Sequence, residues 1–103
     1  MPKVEECGIE IALRLIGGKW KLLILYCLFM NDVVRFGEFR RLLPNITQQM
    51  LTSQLREMEK DGIINRKVYP QVPPKVEYTL TEFGNSMKPM LDAMMKWGEQ
   101  YRK

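Results

Sequence analysis

Histidine is entirely absent from this 103-residue sequence, and cysteine occurs only twice. Without histidine the chain lacks the commonest general base, a common zinc ligand and any Ser-His catalytic triad. Cys7 and Cys27 do not form a Cys-x-x-Cys pair, so they cannot build a zinc site by themselves. Gly17 and Gly18 lack the rest of a phosphate-binding P-loop. We therefore expect a protein that is not an enzyme and that has no metal and no cofactor.

Long apolar runs are also missing. No run reaches membrane-spanning length, and the amino end lacks the apolar core of a signal peptide, so we expect a cytoplasmic protein with no membrane partner. Apolar residues make up 46% and charged residues 27%, which is typical of a globular chain, and the length predicts a single domain over residues 1–103. The formal net charge of +4 favours an anionic partner.

The segment from Arg35 to Ile64 predicts two helices joined by a tight turn. Apolar residues recur at helical spacing in the first helix: Phe36, Phe39, Leu42 and Leu43. The second helix has an apolar face of its own: Leu51, Leu55 and Met58. Pro44 should end the first helix, and Thr47 can cap the second. Gly62 stands where a helix end needs a residue with positive φ. Together these features predict a helix-turn-helix.

The polar face of the second helix carries side chains that can read base edges in DNA. Glutamine pairs with adenine, arginine with guanine, and serine or threonine with bases or phosphates. The candidates for reading bases are Gln48, Gln49, Thr52, Ser53 and Arg56. An ordinary solvated helix face has the same polarity, so this face alone leaves both interpretations open.

Two β-strands are predicted directly after the helix-turn-helix, at residues 64–69 and 76–80 around a proline-rich loop. A hairpin in this position would be a wing whose cations contact phosphates or the minor groove. Alternatively, it is a plain structural hairpin with charges that prevent aggregation. The predicted phosphate or wing contacts are Lys19, Arg35, Arg40, Arg41, Thr47, Arg66, Lys67 and Lys75.

Further helices are predicted on both sides of this motif. Residues 7–16 should form an amino-terminal helix, and residues 19–29 a central helix that is apolar on nearly every face. A short strand is expected at residues 33–34. Thr81 should cap a last helix that reaches about Arg102, with a kink or break at Pro89. The expected fold is mainly α with a small β-hairpin wing, an α+β winged helix-turn-helix with additional terminal helices.

The last helix has an apolar stripe with alternating spacings of four and three residues, as in a coiled coil. A stripe this wide on a small domain favours a homodimer, and the amino-terminal helix should join it there. The predicted interface residues are Ile9, Met87, Met90, Leu91, Met94, Trp97 and Tyr101. Two alternatives stay open: the stripe packs on its own domain, or Trp20, Met94, Trp97 and Tyr101 line an effector pocket at the interface.

Three segments resemble the HxlR-type family of bacterial winged helix-turn-helix regulators. They are LIGGKWKLLIL (15–25), RFGEFRRLLPNITQQMLTSQLREMEKDGII (35–64) and VYPQVPPKVEYTLTEFG (68–84). The resemblance implies a transcriptional repressor or activator that binds double-stranded DNA operators of roughly twofold symmetry as a homodimer. A winged helix that binds only another protein is the alternative.

The resemblance also places Cys7 where some family members sense oxidants or electrophiles. A helix amino terminus favours the reactive thiolate, which fits such a role. The alternative is a packing role for Cys7 in the dimer interface.

Overall fold

The computed structural model describes residue 3 and residues 7–103. Its helices are α1 (Gly8–Ile16), α2 (Lys19–Asn31), α3 (Phe36–Leu42), α4 (Gln48–Lys60), α5 (Glu82–Asn85) and α6 (Lys88–Glu99). Its strands are β1 (Val34–Arg35), β2 (Ile64–Tyr69) and β3 (Lys75–Leu80). β3 lies between β1 and β2 and is antiparallel to both. This mainly helical fold with a small sheet is a winged helix-turn-helix, as predicted.

The centre of the core is α2, which packs against α3, α4, α6, β1 and β3. Its residues Ile24, Leu25 and Leu28 are buried, in agreement with the predicted central helix. Phe39 of α3 meets Tyr78 of β3 edge to face, with 5.8 Å between the ring centroids. Across the part of the chain that the structure describes, every helix is too short or too polar to cross a membrane.

Both ends of α4 have the predicted caps. The Thr47 hydroxyl accepts a hydrogen bond from the Met50 N–H at 3.0 Å, which satisfies one free amide of the first turn. At the other end Gly62 has a φ of +76°, and the Ile63 N–H donates to the Met58 carbonyl at 2.9 Å. This is a Schellman motif, in which glycine takes the left-handed conformation with little strain.

Leu42, which was predicted on the apolar face of α3, and Val68, an apolar residue of β2, are both half exposed. Leu42 is 46% exposed because burial of Phe39 and Leu43 turns it, near the end of α3, away from the core. Val68 is 48% exposed because it lies toward the tip of the hairpin, beyond its buried base at Ile64. The buried faces of α3 and β2 are therefore narrower than the sequence patterns predicted.

Two helix boundaries also differ from the prediction. α2 continues to Asn31, whose side-chain amide donates to the Cys27 carbonyl at 2.8 Å. The predicted last helix is divided into α5 and α6, with the break at residues 86–87, ahead of Pro89. Proline lacks an N–H and clashes with the carbonyl four residues earlier, so it is accommodated in the first turn of α6.

Candidate nucleic-acid interface

The outward face of α4 brings all five base-reading candidates together. It faces solvent because Leu51, Leu55 and Met58 on the opposite side are at most 2% exposed. One shallow, open hollow is lined by Gln48, Gln49, Thr52, Ser53, Arg56 and Glu57. Its amide, hydroxyl and guanidinium groups can donate and accept hydrogen bonds at base edges. We call this face the recognition surface.

Glu57 is the member of the recognition surface that the sequence analysis left out. Its Oε1 lies 3.5 Å from Nζ of Lys21, on α2, and its Oε2 accepts a hydrogen bond from Gln54 Nε2 at 3.3 Å. Lys21 is a buried cation on the same helix as the buried apolar residues Ile24, Leu25 and Leu28. A lysine at helical spacing from core residues was the available signal, because a buried lysine needs a polar partner.

Several predicted phosphate contacts gather around the start of α3. Arg35 lines one hollow with Lys75 and the wing loop, and a second hollow with Arg41. The remaining exposed candidates are Arg40, Thr47, Arg66 and Lys67. In the hairpin register Arg66 pairs with the buried Tyr78, whereas Lys67 pairs with Glu77. The two cations therefore lie on opposite faces of the wing.

One face of the wing carries a linked cluster of Tyr69, Glu77 and lysines. The Tyr69 hydroxyl donates to Glu77 Oε1 at 2.8 Å, and Lys75 Nζ lies 3.4 Å from Glu77 Oε2. Lys67 Nζ and Lys75 Nζ lie 4.9 and 4.5 Å from the centroid of the Tyr69 ring. The Tyr69 hydrogen bond, followed by Lys75 and Arg35, lowers the pKa of Glu77. Tyr69 and Glu77 were not among the predicted site residues, although strand alternation places both on the face of Lys67.

Lys19 is not brought to the recognition surface or the wing. Its Nζ lies 4.4 Å from the centroid of the Trp20 ring. Lys19 also lines an apolar groove between α2 and α6, together with Leu22, Leu23, Tyr26, Leu91, Met94, Met95 and Glu99. Lys19 therefore lines a different part of the surface from the other predicted phosphate contacts, and its own contact with phosphate stays a prediction.

The predicted dimer-interface residues divide into two sets. Leu91 is 5% exposed, and Met87 and Met90 pack partly against the core, so Leu91 belongs to the core of its own subunit. The exposed set is Ile9, Met94, Trp97 and Tyr101. Of the four predicted effector-pocket residues, Trp97 and Tyr101 pack against each other, Met94 lines the groove between α2 and α6, and Trp20 packs partly against the core. A pocket that joins them at a dimer interface stays a prediction.

The two cysteines occupy different environments. Cys7 is half-buried at the N-cap of α1. Cys27 is 4% exposed, and burial raises the pKa of its thiol, as expected of an unreactive core residue. Within residues 7–103 and residue 3, no group of three cysteine or acidic side chains could hold a metal ion.

A winged helix-turn-helix with an exposed polar recognition surface defines a class of DNA-binding protein. Residues 15–103 match the HxlR-like helix-turn-helix family, and the chain belongs to that family. It is 57% identical over 98 residues to the HTH-type transcriptional regulator YdeP of Bacillus subtilis, covering 95% of this chain and 76% of YdeP. The chain is thus a DNA-binding transcriptional regulator of the HxlR-like type.

Solved structures give the same fold. The redox regulator HypR in its reduced form superposes with a TM-score of 0.88 at 54% identity, covering 94% of this chain and 95% of that one. The reduced transcriptional regulator YodB from B. subtilis superposes with a TM-score of 0.78 at 36% identity, covering 100% and 97%. Both are therefore close in fold over nearly the whole chain.

Replacing Tyr69 by phenylalanine should raise the pKa of Glu77 toward its ordinary value, because the ionised carboxylate loses its strongest hydrogen bond. A lowered folded-state pKa stabilises the fold above the unfolded-state pKa, and this contribution disappears as the pH falls through the folded-state value. The Y69F variant should therefore lose less stability on acidification than the wild type. A carbon-detected NMR titration of the carboxyl groups measures the pKa, with Glu99 beside Arg102 as the unaffected control. An unchanged Glu77 pKa would contradict the assigned cause.

Proposed function

We propose that two copies of this chain, each a single domain, bind an operator of roughly twofold symmetry in the cytoplasm. Dimeric helix-turn-helix proteins place their recognition helices in successive major grooves, about 34 Å apart. The observation that carries the proposal is the recognition surface itself. Arg56 is exposed there and, among residues 7–103, is paired with no carboxylate. Gln48, Gln49, Thr52, Ser53 and Arg56 are the proposed base-reading residues.

The cations beside the recognition surface act as phosphate contacts, which fix the position of the protein without specifying the sequence. Arg35, Arg41 and Lys75 form one group of contacts where the wing loop meets α3. Lys67 extends the charged region along the wing, while Glu77 offsets part of the charge of Lys75. Arg40, Thr47 and Arg66 complete the proposed set. Such contacts release counterions, so affinity should fall steeply with salt.

Replacing Arg56 by alanine should cost about 1–3 kcal/mol of operator binding and relax the preference at one base pair, because a bidentate base contact is lost. The matched control is Arg56→Lys, which keeps the charge but cannot reproduce the planar fork. Gel-shift titrations on the DNA upstream of the protein's own and neighbouring genes, with random competitor, measure both effects. If lysine fully restores affinity and sequence preference, Arg56 is a phosphate contact and the base-reading role is wrong.

Homodimerisation is proposed through α1 and α6. Exposed apolar side chains occur on both helices and just beyond the end of α6: Ile9, Ile11, Leu13, Met94, Trp97 and Tyr101. Trp97 and Tyr101 pack together with 5.1 Å between ring centroids and present one aromatic surface. α6 also contributes Met94 and Met95 to the apolar groove that it forms with α2. Exposed apolar surface of this extent on a small protein usually marks an interface, and an operator of twofold symmetry requires a second copy.

Replacing Trp97 by glutamate should shift the protein toward monomers and weaken operator binding, because a charge cannot be buried unpaired in an apolar interface. The matched control is Met30→Glu, since Met30 is 63% exposed and Trp97 is 65% exposed. Sedimentation velocity over a concentration series measures the oligomeric state. A W97E protein that dimerises as tightly as the control would remove α6 from the proposed interface.

A second candidate function is redox control through Cys7. Three points support it: Cys7 is half-buried, and not fully buried, at a helix N-cap, α1 belongs to the proposed interface, and the similar protein HypR is a redox regulator. Reactive cysteines are at least partly accessible to oxidants and electrophiles, as Cys7 is. Modification at Cys7 would alter the position of α1 and hence the spacing of the two recognition helices.

Diamide or a quinone should change operator affinity in the wild type and leave Cys7→Ser unaffected. Cys27 supplies the internal control, because its burial should protect it from the reagent. Mass spectrometry of the intact, folded protein after alkylation should find label on Cys7 and little on Cys27. Equal responses of the wild type and the serine variant would reject Cys7 as the sensor, whatever the DNA affinity.

A further inference from the structure

An ion pair with a buried cation joins α4, which carries the recognition surface, to α2 at the centre of the core. The side chain of Lys21 on α2 is 9% exposed, and its ammonium group lies 3.5 Å from Glu57 Oε1 on α4. Gln54 donates to the other carboxylate oxygen of Glu57 at 3.3 Å. Both carboxylate oxygens of Glu57 therefore have partners. The charged partner, Lys21, comes from α2, on the interior side of α4.

Glu57 occupies a sensitive position. It is the acidic residue among those that line the recognition surface, and its side chain is 54% exposed. DNA carries a dense row of phosphate charges, and charges separated by less than a Debye length, about 8 Å at physiological salt, are only partly screened. An unpaired carboxylate beside Arg56 would therefore oppose binding, whether or not it touched a base.

Stability alone does not explain a lysine at position 21. Burying an ammonium group costs solvation energy, and replacing a buried ion pair by apolar residues of similar size is often neutral or stabilising. Methionine matches lysine in length and would suit the surrounding apolar residues of α2. The ion pair is better explained by what it does to the charge of the recognition surface.

We propose that Lys21 is a positioning residue for DNA binding. Its ammonium group neutralises Glu57 and holds the carboxylate on the α2 side of α4, so that the recognition surface meets phosphates without net repulsion. Lys21 itself is too buried to contact DNA directly. This inference rests on the proposed function, since it requires that the recognition surface faces DNA.

A double-mutant cycle tests the pair in the full chain: wild type, Lys21→Met, Glu57→Gln and the double variant. Fluorescence anisotropy measures binding to two labelled duplexes, the upstream fragment that the wild type shifts most strongly and a random sequence of equal length. K21M should weaken binding, and adding E57Q should restore it. The gain from E57Q should be about threefold to tenfold larger in the K21M background than in the wild type.

Matched variants separate this effect from charge removal in general. Glu59→Gln removes an acid from the same helix outside the recognition surface, so it should have the same effect in both backgrounds. Lys21→Arg keeps the charge and should retain wild-type affinity. Lys21→Gln repeats the cycle with a polar side chain should the methionine variant fold poorly. Thermal unfolding without DNA measures the stability of each variant. If Lys21 had only a structural role, stability and DNA affinity would fall together.

The outcomes are distinct. Equal gains from E57Q in both backgrounds would overturn the positioning role, while wild-type binding to the upstream fragment would leave the proposed function standing. Affinity losses that follow thermal stability variant by variant would overturn it as well. Failure of the wild type to bind either duplex at low salt would overturn the proposed function together with this inference.

Discussion

The burial of one face of α4 is the constraint on which the rest of this molecule depends. Leu51, Leu55 and Met58 enter a core centred on α2, and the helical period then directs Ser53 and Arg56 to solvent. The Thr47 cap and the Gly62 turn confine the helix to the length over which this division holds. A rotation of α4 by one residue would expose leucine and bury a polar side chain, which is costly.

On the side proposed to face DNA, acidic side chains have partners close by. Glu57 has a lysine partner in Lys21 of α2, and Glu77 has one in Lys75 within the wing. A third acid among these cations, Glu38, accepts a hydrogen bond from the Arg35 backbone N–H. Glu57 and Glu77 each bind a neighbouring polar side chain, Gln54 and Tyr69, and the lysine beside each acid offsets its negative charge. The net positive charge of the chain is thereby carried by arginines and by lysines such as Lys67, which suits an anionic partner.

Much of the fold and of the recognition surface could be predicted, because these features depend on local rules. Caps and turn residues act on the nearest few backbone groups, so Thr47 and Gly62 marked the ends of α4 correctly. Faces near the edge of the core were predicted less well. Leu42 is half exposed, and Leu91 is buried in its own subunit. Periodicity shows which side of a helix is apolar, but it does not show how much of that side the neighbouring elements cover.

The sequence by itself determined which segments are helical, where α4 begins and ends, and which face of α4 is polar. It also excluded a histidine-based catalytic site, since composition alone decides that question. Only the tertiary structure decided which distant side chains meet. The Lys21–Glu57 pair joins residues 36 positions apart, and Lys19, two positions from Lys21, lies in a different groove with α6. Such contacts follow from the packing of whole helices, and no local pattern in the sequence encodes them.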